Sequence, residues 1–213
     1  MKYKALLFDF DGTLLNTNEL ILQSFHHVLA TRFPGKYQVE DCAQFIGPSL
    51  QQTFDTLAPG ETETLIARYR AFNEANHDKL ISEYPDVVEV LTELKAMGIK
   101  LAIVSTKRND MIERGLTLLG ANHLFDVKIG TDDVAHVKPH PEPVLLALER
   151  LNVPKEQAMM IGDNSHDIEA GNNAGVTSVG VAWAHKGEAY LRKYNPTHIV
   201  TTMHDFIPLV KGE

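Results

Sequence analysis

Residues 5–13 read ALLFDFDGT, a short apolar run that ends on two acidic residues and a glycine. The apolar part, residues 5–8, has the length and the continuous hydrophobicity of a strand that is buried on both faces. Three similar apolar runs occur later in the chain, at 101–104, 158–161 and 176–181. Each run predicts a further buried strand.

Helical patterns lie between these apolar runs. The clearest covers residues 87–97, where apolar side chains recur at helical spacing and Gly98 provides a stop signal. Two others cover 111–119 and 143–151. Because strands and helices alternate, we predict an α/β fold, a Rossmann-like doubly wound parallel sheet with helices on both faces.

Residues 16–83 interrupt this alternation, because they contain two strong helical patterns and no convincing strand. One apolar helical face includes Leu20 and Phe25, and another includes Leu65 and Tyr69. We therefore predict two domains. Residues 1–15 and 84–213 form the Rossmann-like core, and residues 16–83 form an inserted helical domain.

The composition is that of an ordinary globular protein. The 213 residues are 44% hydrophobic and 23% charged, and the formal net charge is -8. Without a basic surplus, a nucleic-acid partner is not expected. The single cysteine, Cys42, cannot form an internal disulfide, and we see no signal peptide or membrane span. We expect a cytoplasmic protein.

Polar residues follow the predicted strands. In an open parallel sheet, ligands bind beyond the carboxyl ends of the strands. Acids, hydroxyls and lysines at such an edge are typical of phosphoryl transfer, which needs a nucleophile, a proton donor, and groups that neutralise phosphate charge. The residues that meet this description are Asp9, Asp11, Ser105, Thr106, Lys107, Lys138, Asp163 and Asp167.

Two acids follow the first strand, and we predict different roles for them. Asp9 is the candidate nucleophile, since a carboxylate can accept a phosphoryl group and release it to water. Asp11 is the candidate general acid and base. Gly12 permits a sharp turn, and Thr13 offers a further donor. The alternative, an Asp-Gly hairpin turn, lacks a following partner strand.

Ser105 and Lys138 are the candidate phosphate-binding residues. Ser105 would donate to a phosphoryl oxygen, with Thr106 in support, although a serine here is equally suited to cap the next helix. Lys138 lies beside Pro139 and Pro141, which stiffen the chain around it. A lone lysine near prolines is more often solvated, so this prediction depends on its context.

Asp163 and Asp167 follow the run at 158–161 and indicate a metal site. Together with Asp9 and the carbonyl of Asp11, they offer the oxygen ligands that Mg²⁺ prefers. Asp167 would ligate the ion directly or orient the other ligands. The alternative is that both acids cap the N-terminus of a helix without any metal.

The sequence contains ten histidines, but their spacings do not match a usual zinc site. His136 and His140, for example, have no cysteine near them. We therefore do not expect a zinc site in this chain. The turn at 183–187, after the last apolar run, is expected at the same rim, where its residues could equally serve packing.

The order of these motifs resembles the haloacid dehalogenase superfamily of phosphatases. The motifs are DFDGT at 9–13, Ser105, Lys138, and GDNSHD at 162–167. The resemblance implies a Rossmann-like core with a helical cap inserted after the first strand, here 16–83. It also implies that the nucleophile, the acid and base, the phosphate binders and one Mg²⁺ ligand are those named above.

Four stretches are similar to the bacterial inorganic pyrophosphatase subgroup, whose close relatives are phosphoglycolate phosphatases. They are NTNEL at 16–20, FIGPSL at 45–50, DDVAHVKP at 132–139 and GDNSHD at 162–167. The subgroup implies hydrolysis of pyrophosphate. The alternatives are hydrolysis of phosphoglycolate or of another small phosphomonoester and, less favoured, a sugar-phosphate mutase reaction. Relatives often have Thr followed by Asn where this chain has Ser105 and Thr106, which bears only on fine phosphate geometry.

Substrate selection should depend on residues beyond the transferred phosphoryl group. The candidate substrate contacts are Gly12, Thr13, Thr106, Lys107 and, in the insert, Gly47. We expect Lys107 and the backbone near Gly47 to contact the leaving phosphate.

Two other classes of protein fit the motifs less well than a phosphatase does. A signalling receiver domain also uses acids, a hydroxyl and a lysine, but its phosphorylated aspartate follows the third strand and it has no insert. A binding protein without activity does not need the complete set of acids. The oligomeric state cannot be inferred from the sequence.

Overall fold

The computed structural model describes all 213 residues. It contains eight strands, of which six form one parallel sheet in the spatial order β5-β4-β1-β6-β7-β8 and two form a separate short sheet, β2-β3. The strands are β1 (Ala5–Phe8), β2 (Leu15–Asn16), β3 (Ser82–Glu83), β4 (Lys100–Val104), β5 (Val127–Ile129), β6 (Ala158–Gly162), β7 (Thr177–Val181) and β8 (His198–Val200).

Nine α-helices accompany the strands. They are α1 (Asn18–Arg32), α2 (Leu50–Leu57), α3 (Thr62–Leu80), α4 (Val87–Ala96), α5 (Asn109–Leu118), α6 (Glu142–Leu151), α7 (Ser165–Ala174), α8 (Gly187–Leu191) and α9 (Phe206–Lys211).

The first strand lies inside the sheet. All four residues of β1 are fully buried, and β1 pairs with β4 on one side and with β6 on the other. The chain builds the sheet outward through β4 and β5 and then returns to add β6, β7 and β8 on the opposite side. The winding direction therefore reverses at β1, and the carboxyl ends of β1, β4 and β6 surround the place where ligands bind in such sheets.

One face of this sheet is covered by α6 and α7. Leu7 of β1 and Val104 of β4 share a hydrophobic cluster with Val144 and Leu148 of α6 and Ala170 of α7. Burial of a side chain such as Leu or Val contributes about 1.5–3 kcal/mol. This packing fixes the strand ends that carry the polar residues.

The chain divides into two compact units, one made of residues 1–16 and 83–213 and the other of residues 17–82. The second unit is helical, and its core is built around Phe25 of α1. The Phe25 ring lies 5.4 Å from Phe45, 5.8 Å from Phe54 and 4.8 Å from Tyr69, measured between ring centroids. Aromatic packing of this kind stabilises a small helical unit without a sheet.

The predicted α/β fold with a parallel sheet is confirmed. The four predicted strands correspond to β1, β4, β6 and β7, with ends that differ by one residue at most. Four strands were not predicted: β5 and β8, which have only three residues each, and β2 and β3, which have two each. No helix in the structure combines the length and the apolar composition that crossing a membrane requires.

Candidate active site

Asp9 is the residue immediately after β1. Its backbone N–H donates to the Ile161 carbonyl at 2.8 Å, so the pairing with β6 extends one residue beyond β1. The Phe10 backbone N–H donates to Asp9 Oδ1 at 2.7 Å. The side chain is nearly buried, with 12% of its surface exposed. The strand pairing and this hydrogen bond together fix the carboxylate at the end of the sheet.

A tight turn follows Asp9. The Phe10 carbonyl accepts hydrogen bonds from Leu14 and Leu15, which bends the chain back. Gly12 lies in this turn with φ of 79°. A Cβ atom at Gly12 would also lie 2.6 Å from Asp163 Oδ2. Glycine is therefore required here both by the backbone conformation and by the close approach of a carboxylate.

Three carboxylates converge at this edge of the sheet. Asp163 follows β6 directly, and Asp167 lies in the first turn of α7. Carboxylate oxygens of these two residues and of Asp9 all lie within 4.8 Å of one another. Thr13 Oγ1 donates to Asp163 Oδ1 at 3.1 Å. Gly162 makes room for the group, because a Cβ atom there would overlap the Asp167 carboxylate.

Lys138 is the cation that reaches these carboxylates. Its Nζ donates to Asp167 Oδ1 at 2.6 Å and to the Val104 carbonyl at 2.8 Å, and it lies 3.0 Å from Asp9 Oδ1. Only 2% of the side chain is exposed. The peptide bond from Lys138 to Pro139 is cis. Lys138 thus contacts β4 and two of the three acids, and is not a solvated surface lysine.

Burial changes the protonation of this group. It raises the pKa of Asp9 to about 7, an effect that Lys138 opposes and Asp167 reinforces. Burial, with the nearby charges of Asp167 and Asp9, holds the pKa of Asp163 well above its ordinary value. Burial alone would lower the pKa of Lys138, but the charges of Asp167 and Asp9 outweigh it and raise that pKa. With all three acids ionised, the site would carry more negative charge than one lysine neutralises.

This charge imbalance fits a bound metal ion. The acids at positions 9, 163 and 167 offer only oxygen ligands, which hard divalent cations prefer. A cation would neutralise the two carboxylates whose charged forms burial disfavours. The donor set therefore fits a metal-dependent enzyme.

An Asp163→Asn variant tests this explanation. The raised pKa of Asp163 means that the folded, metal-free protein binds a proton that the unfolded chain releases, so this carboxyl reduces stability as pH rises to neutrality. We expect the metal-free variant to melt about 2–4 °C above the wild type at neutral pH, which is about 1 kcal/mol for a chain of this size. Differential scanning calorimetry measures the melting temperatures of the two metal-free proteins.

The same experiment includes added Mg²⁺ and a control variant. Mg²⁺ should raise the melting temperature of the wild type and of Asp110→Asn, whose carboxylate is exposed and pairs with Arg108. It should raise that of Asp163→Asn much less. Equal stabilisation of all three proteins by Mg²⁺ would contradict the assignment of Asp163 as a ligand.

Asp11 and Lys107 form a second polar pair beside the acids. Lys107 Nζ lies 2.8 Å from Asp11 Oδ1 and 3.1 Å from Oδ2. Ser105 follows β4, and its Oγ accepts the Lys107 backbone N–H at 3.3 Å. Ser105 does not cap α5, which begins at Asn109. Its hydroxyl instead stabilises the turn that directs Lys107 toward Asp11.

The structure thus brings most of the predicted site residues into two adjoining groups. The first contains Asp9, Thr13, Lys138, Asp163 and Asp167, and the second contains Asp11, Ser105 and Lys107. Thr106 is half-buried between Ser105 and Lys107. Gly47 lies in the helical unit, and its role stays a prediction.

Residues after β7 also reach the first group. Trp183 Nε1 donates to the Thr13 carbonyl at 3.1 Å. Tyr190 of α8 donates to Ser165 Oγ at 3.1 Å, and Lys186 Nζ lies 3.4 Å from the Tyr190 hydroxyl. The rim segment predicted from the sequence, 183–187, includes Trp183 and Lys186 but not Tyr190. The available signal was that β7 is parallel to β6, so the residues that follow it lie at the same edge.

Comparison with known proteins identifies the class. The family model described as haloacid dehalogenase-like hydrolase matches residues 6–181, and the chain belongs to this family. The match extends from Leu6 in β1 to Val181 at the end of β7 and includes every residue of the two groups, but not Trp183, Lys186 or Tyr190.

More specific similarities extend over the whole chain. It is 48% identical over 210 residues to a protein named pyrophosphatase PpaX from Bacillus thuringiensis (strain Al Hakam), covering 99% of this chain and 97% of that protein. A solved structure from Bacteroides fragilis, provisionally named a haloacid dehalogenase-like hydrolase, has a TM-score of 0.90 and 30% identity, covering 96% of this chain and all of that one. Another, from Lactobacillus plantarum and provisionally named a phosphoglycolate phosphatase, has a TM-score of 0.88 and 28% identity, covering 98% and 100%.

Proposed function

We propose that this chain is a magnesium-dependent hydrolase that converts inorganic pyrophosphate to phosphate through an aspartyl-phosphate on Asp9. The observation that carries the proposal is the placement of the Asp9 carboxylate, 3.0 Å from Lys138 Nζ and within 4.8 Å of two further acids. Full-length similarity to a protein named pyrophosphatase PpaX supports the choice of substrate.

In the first step, an oxygen of Asp9 attacks one phosphorus of pyrophosphate. A bond forms between this oxygen and phosphorus, and the bond from phosphorus to the bridging oxygen breaks. Asp11 donates its proton to the departing oxygen, and one phosphate leaves. Asp11 lies two residues beyond the nucleophile, and in this proposal it acts on the leaving-group side of the transferred phosphoryl group.

In the second step, water attacks the phosphorus of the aspartyl-phosphate. Asp11, now ionised, takes a proton from this water, and the bond between phosphorus and the Asp9 oxygen breaks. The second phosphate leaves, and both carboxyl groups return to their starting states. Before substrate binds, the pair with Lys107 holds the Asp11 side chain in place. In this proposal Lys107 turns to the leaving phosphate, which releases Asp11 to carry the proton of the first step.

Donors and cations stabilise the transferred group. Ser105 and Thr106 follow β4 and supply hydroxyl and backbone donors for its oxygens, and Lys138 neutralises part of its charge. Asp9, Asp163, Asp167 and the Asp11 carbonyl would hold Mg²⁺. When bound, Mg²⁺ supplies positive charge that lowers the repulsion between the phosphate and the carboxylates.

Lys107 and the helical insert are proposed to select the substrate. Lys107 Nζ lies beside Asp11, the proposed proton donor. In this proposal the leaving phosphate departs on that side of the site. Gly12 and Thr13, the other proposed substrate contacts in the core, lie in the turn that follows Asp9. The helical domain, predicted at 16–83, acts in this proposal as a cap, and Gly47 is its candidate contact.

A Lys107→Ala variant shows whether this lysine binds the leaving phosphate or acts only through Asp11. We expect kcat/KM for pyrophosphate to fall about 10- to 100-fold, the effect of losing one charged hydrogen bond. The fall for phosphoglycolate should be smaller, since its leaving group carries no second phosphate. Equal losses for both substrates would mean that Lys107 acts only through Asp11. Lys128→Ala, which removes a lysine that pairs with Glu113, is the control.

Phosphate release from a substrate panel tests the proposed function. Purified protein with Mg²⁺ is assayed with pyrophosphate, phosphoglycolate and several sugar phosphates. Selectivity for pyrophosphate supports the proposal. Selectivity for phosphoglycolate would favour the second candidate, to which the Lactobacillus plantarum structure points by its provisional name. Conversion of one sugar phosphate to an isomer, without phosphate release, would favour a mutase.

A further inference from the structure

A second cluster of metal-binding side chains lies outside the acidic site, on the segment that leads into α6. It consists of His136, His140 and Glu142, whose ligand atoms all lie within 4.8 Å of one another. His136 Nδ1 is 2.8 Å from Glu142 Oε2, and His140 Nδ1 is 3.9 Å from the same oxygen. Two imidazole nitrogens therefore converge on one carboxylate.

The carboxylate of this cluster is fixed before any ion binds. Glu142 Oε1 accepts the Ala135 backbone N–H at 2.8 Å, and Oε2 accepts the His136 backbone N–H at 2.9 Å. These bonds, with the His136 ring, hold the pKa of Glu142 below its usual range, so it is ionised at neutral pH. A preformed ligand costs less conformational entropy on binding than a mobile one.

The second histidine carries its lone pair on Nδ1, where it accepts a hydrogen bond that a metal ion would replace. The Glu142 backbone N–H donates to His140 Nδ1 at 3.2 Å, which makes Nδ1 the unprotonated nitrogen of that ring. Half of the side-chain surface of His140 and 65% of that of His136 are exposed. An ion can therefore reach the cluster from solvent without any rearrangement of the core.

The donor set selects a particular class of ion. Imidazole nitrogens suit zinc and other first-row transition metals, whereas magnesium prefers oxygen ligands. Two imidazoles and one glutamate form a three-ligand set that occurs in zinc sites with an open coordination position. With bonds of about 2.0–2.1 Å, ligand atoms in a tetrahedral zinc site lie about 3.3 Å apart. The separations of 2.8 and 3.9 Å lie on either side of this value.

We propose that His136, His140 and Glu142 form a surface site for a divalent first-row transition-metal ion such as Zn²⁺, distinct from the acidic site. The spacing of the histidines alone argued against zinc, because the third ligand is a glutamate two residues beyond His140. Binding replaces the contact between His136 Nδ1 and Glu142 Oε2. The site belongs to the segment that carries Lys138 but does not depend on the proposed substrate.

Calorimetric titration with Zn²⁺ tests this proposal on the whole chain. Saturating Mg²⁺ is present throughout, so that Zn²⁺ must compete with it for the acidic site. The wild type should bind one Zn²⁺, and His140→Ala should bind it about 100-fold more weakly. His123→Ala, which removes an exposed histidine of another segment, should bind as the wild type does.

Spectra of the histidine rings give a second test of the proposed site. In long-range ¹H–¹⁵N spectra, Zn²⁺ should shift the ring nitrogens of His136 and His140 and leave those of His123 unchanged. Equal Zn²⁺ affinity in the wild type and His140→Ala would overturn the proposal. Loss of all Zn²⁺ binding in Asp163→Asn with an unchanged His140→Ala would overturn it as well, since the ion would then occupy the acidic site.

Discussion

Replacing Asp9 by Asn should reduce phosphate release from pyrophosphate by roughly 10⁴- to 10⁶-fold, the scale seen when an enzyme loses its nucleophile. The amide has the shape of the carboxylate but does not attack phosphorus. The Asn side chain can still accept the Phe10 backbone N–H, so the turn after β1 should persist. Steady-state phosphate release measures the effect, and circular dichroism confirms the fold.

The matched control for this prediction is Asp110→Asn. It makes the same chemical change at an exposed residue of α5 whose partner is Arg108. Its activity should stay within a factor of about two of the wild type, since exposed ion pairs contribute little. If Asp9→Asn kept a tenth or more of the wild-type rate, the nucleophile would have to be another group.

Replacing Lys138 by Met should reduce both stability and activity. Lys138 Nζ lies 3.0 Å from Asp9 Oδ1 and 2.6 Å from Asp167 Oδ1. The substitution therefore leaves both carboxylates buried without this cation. Breaking a buried ion pair costs about 3–5 kcal/mol, which lowers the melting temperature by roughly 6–20 °C in a chain of this size. Thermal unfolding of metal-free protein measures the loss.

The pH dependence of this loss distinguishes charge from packing. At acidic pH the unpaired carboxylates take up protons, so the stability deficit of Lys138→Met should be smaller than at neutral pH. Lys95→Met, which breaks a partly exposed pair with Asp126, should cost about 1 kcal/mol or less. A deficit that is the same at acidic and neutral pH would mean that packing, not charge, explains the role of Lys138.

The sequence was most informative where strands are buried on both faces. Runs such as Ala5–Phe8 must be continuously apolar, because helices cover both sides of the sheet, and that pattern predicts the strand and its end. The polar residue at each such end is then expected at the ligand-binding edge. Asp9 and Asp163 follow directly from this rule.

The sequence was less informative where contacts are made between distant segments. The edge strands β5 and β8 have three residues each, too few to show a pattern. Lys138 lies on no strand, and its contact with the Val104 carbonyl depends on how the chain folds back before α6. The ion pair of Asp11 with Lys107 joins residues 96 positions apart. Motif order predicted that these groups are catalytic, whereas only the fold shows which of them touch.

The most direct test of the account is to identify the phosphorylated residue during turnover. Protein turning over pyrophosphate with Mg²⁺ is quenched in acid and digested, and the peptides are analysed by mass spectrometry. We expect a mass increase of one phosphoryl group on the peptide that contains Asp9, at that residue, and none in Asp9→Asn. A phosphoryl group on any other residue, or full turnover without a phosphorylated protein, would contradict it.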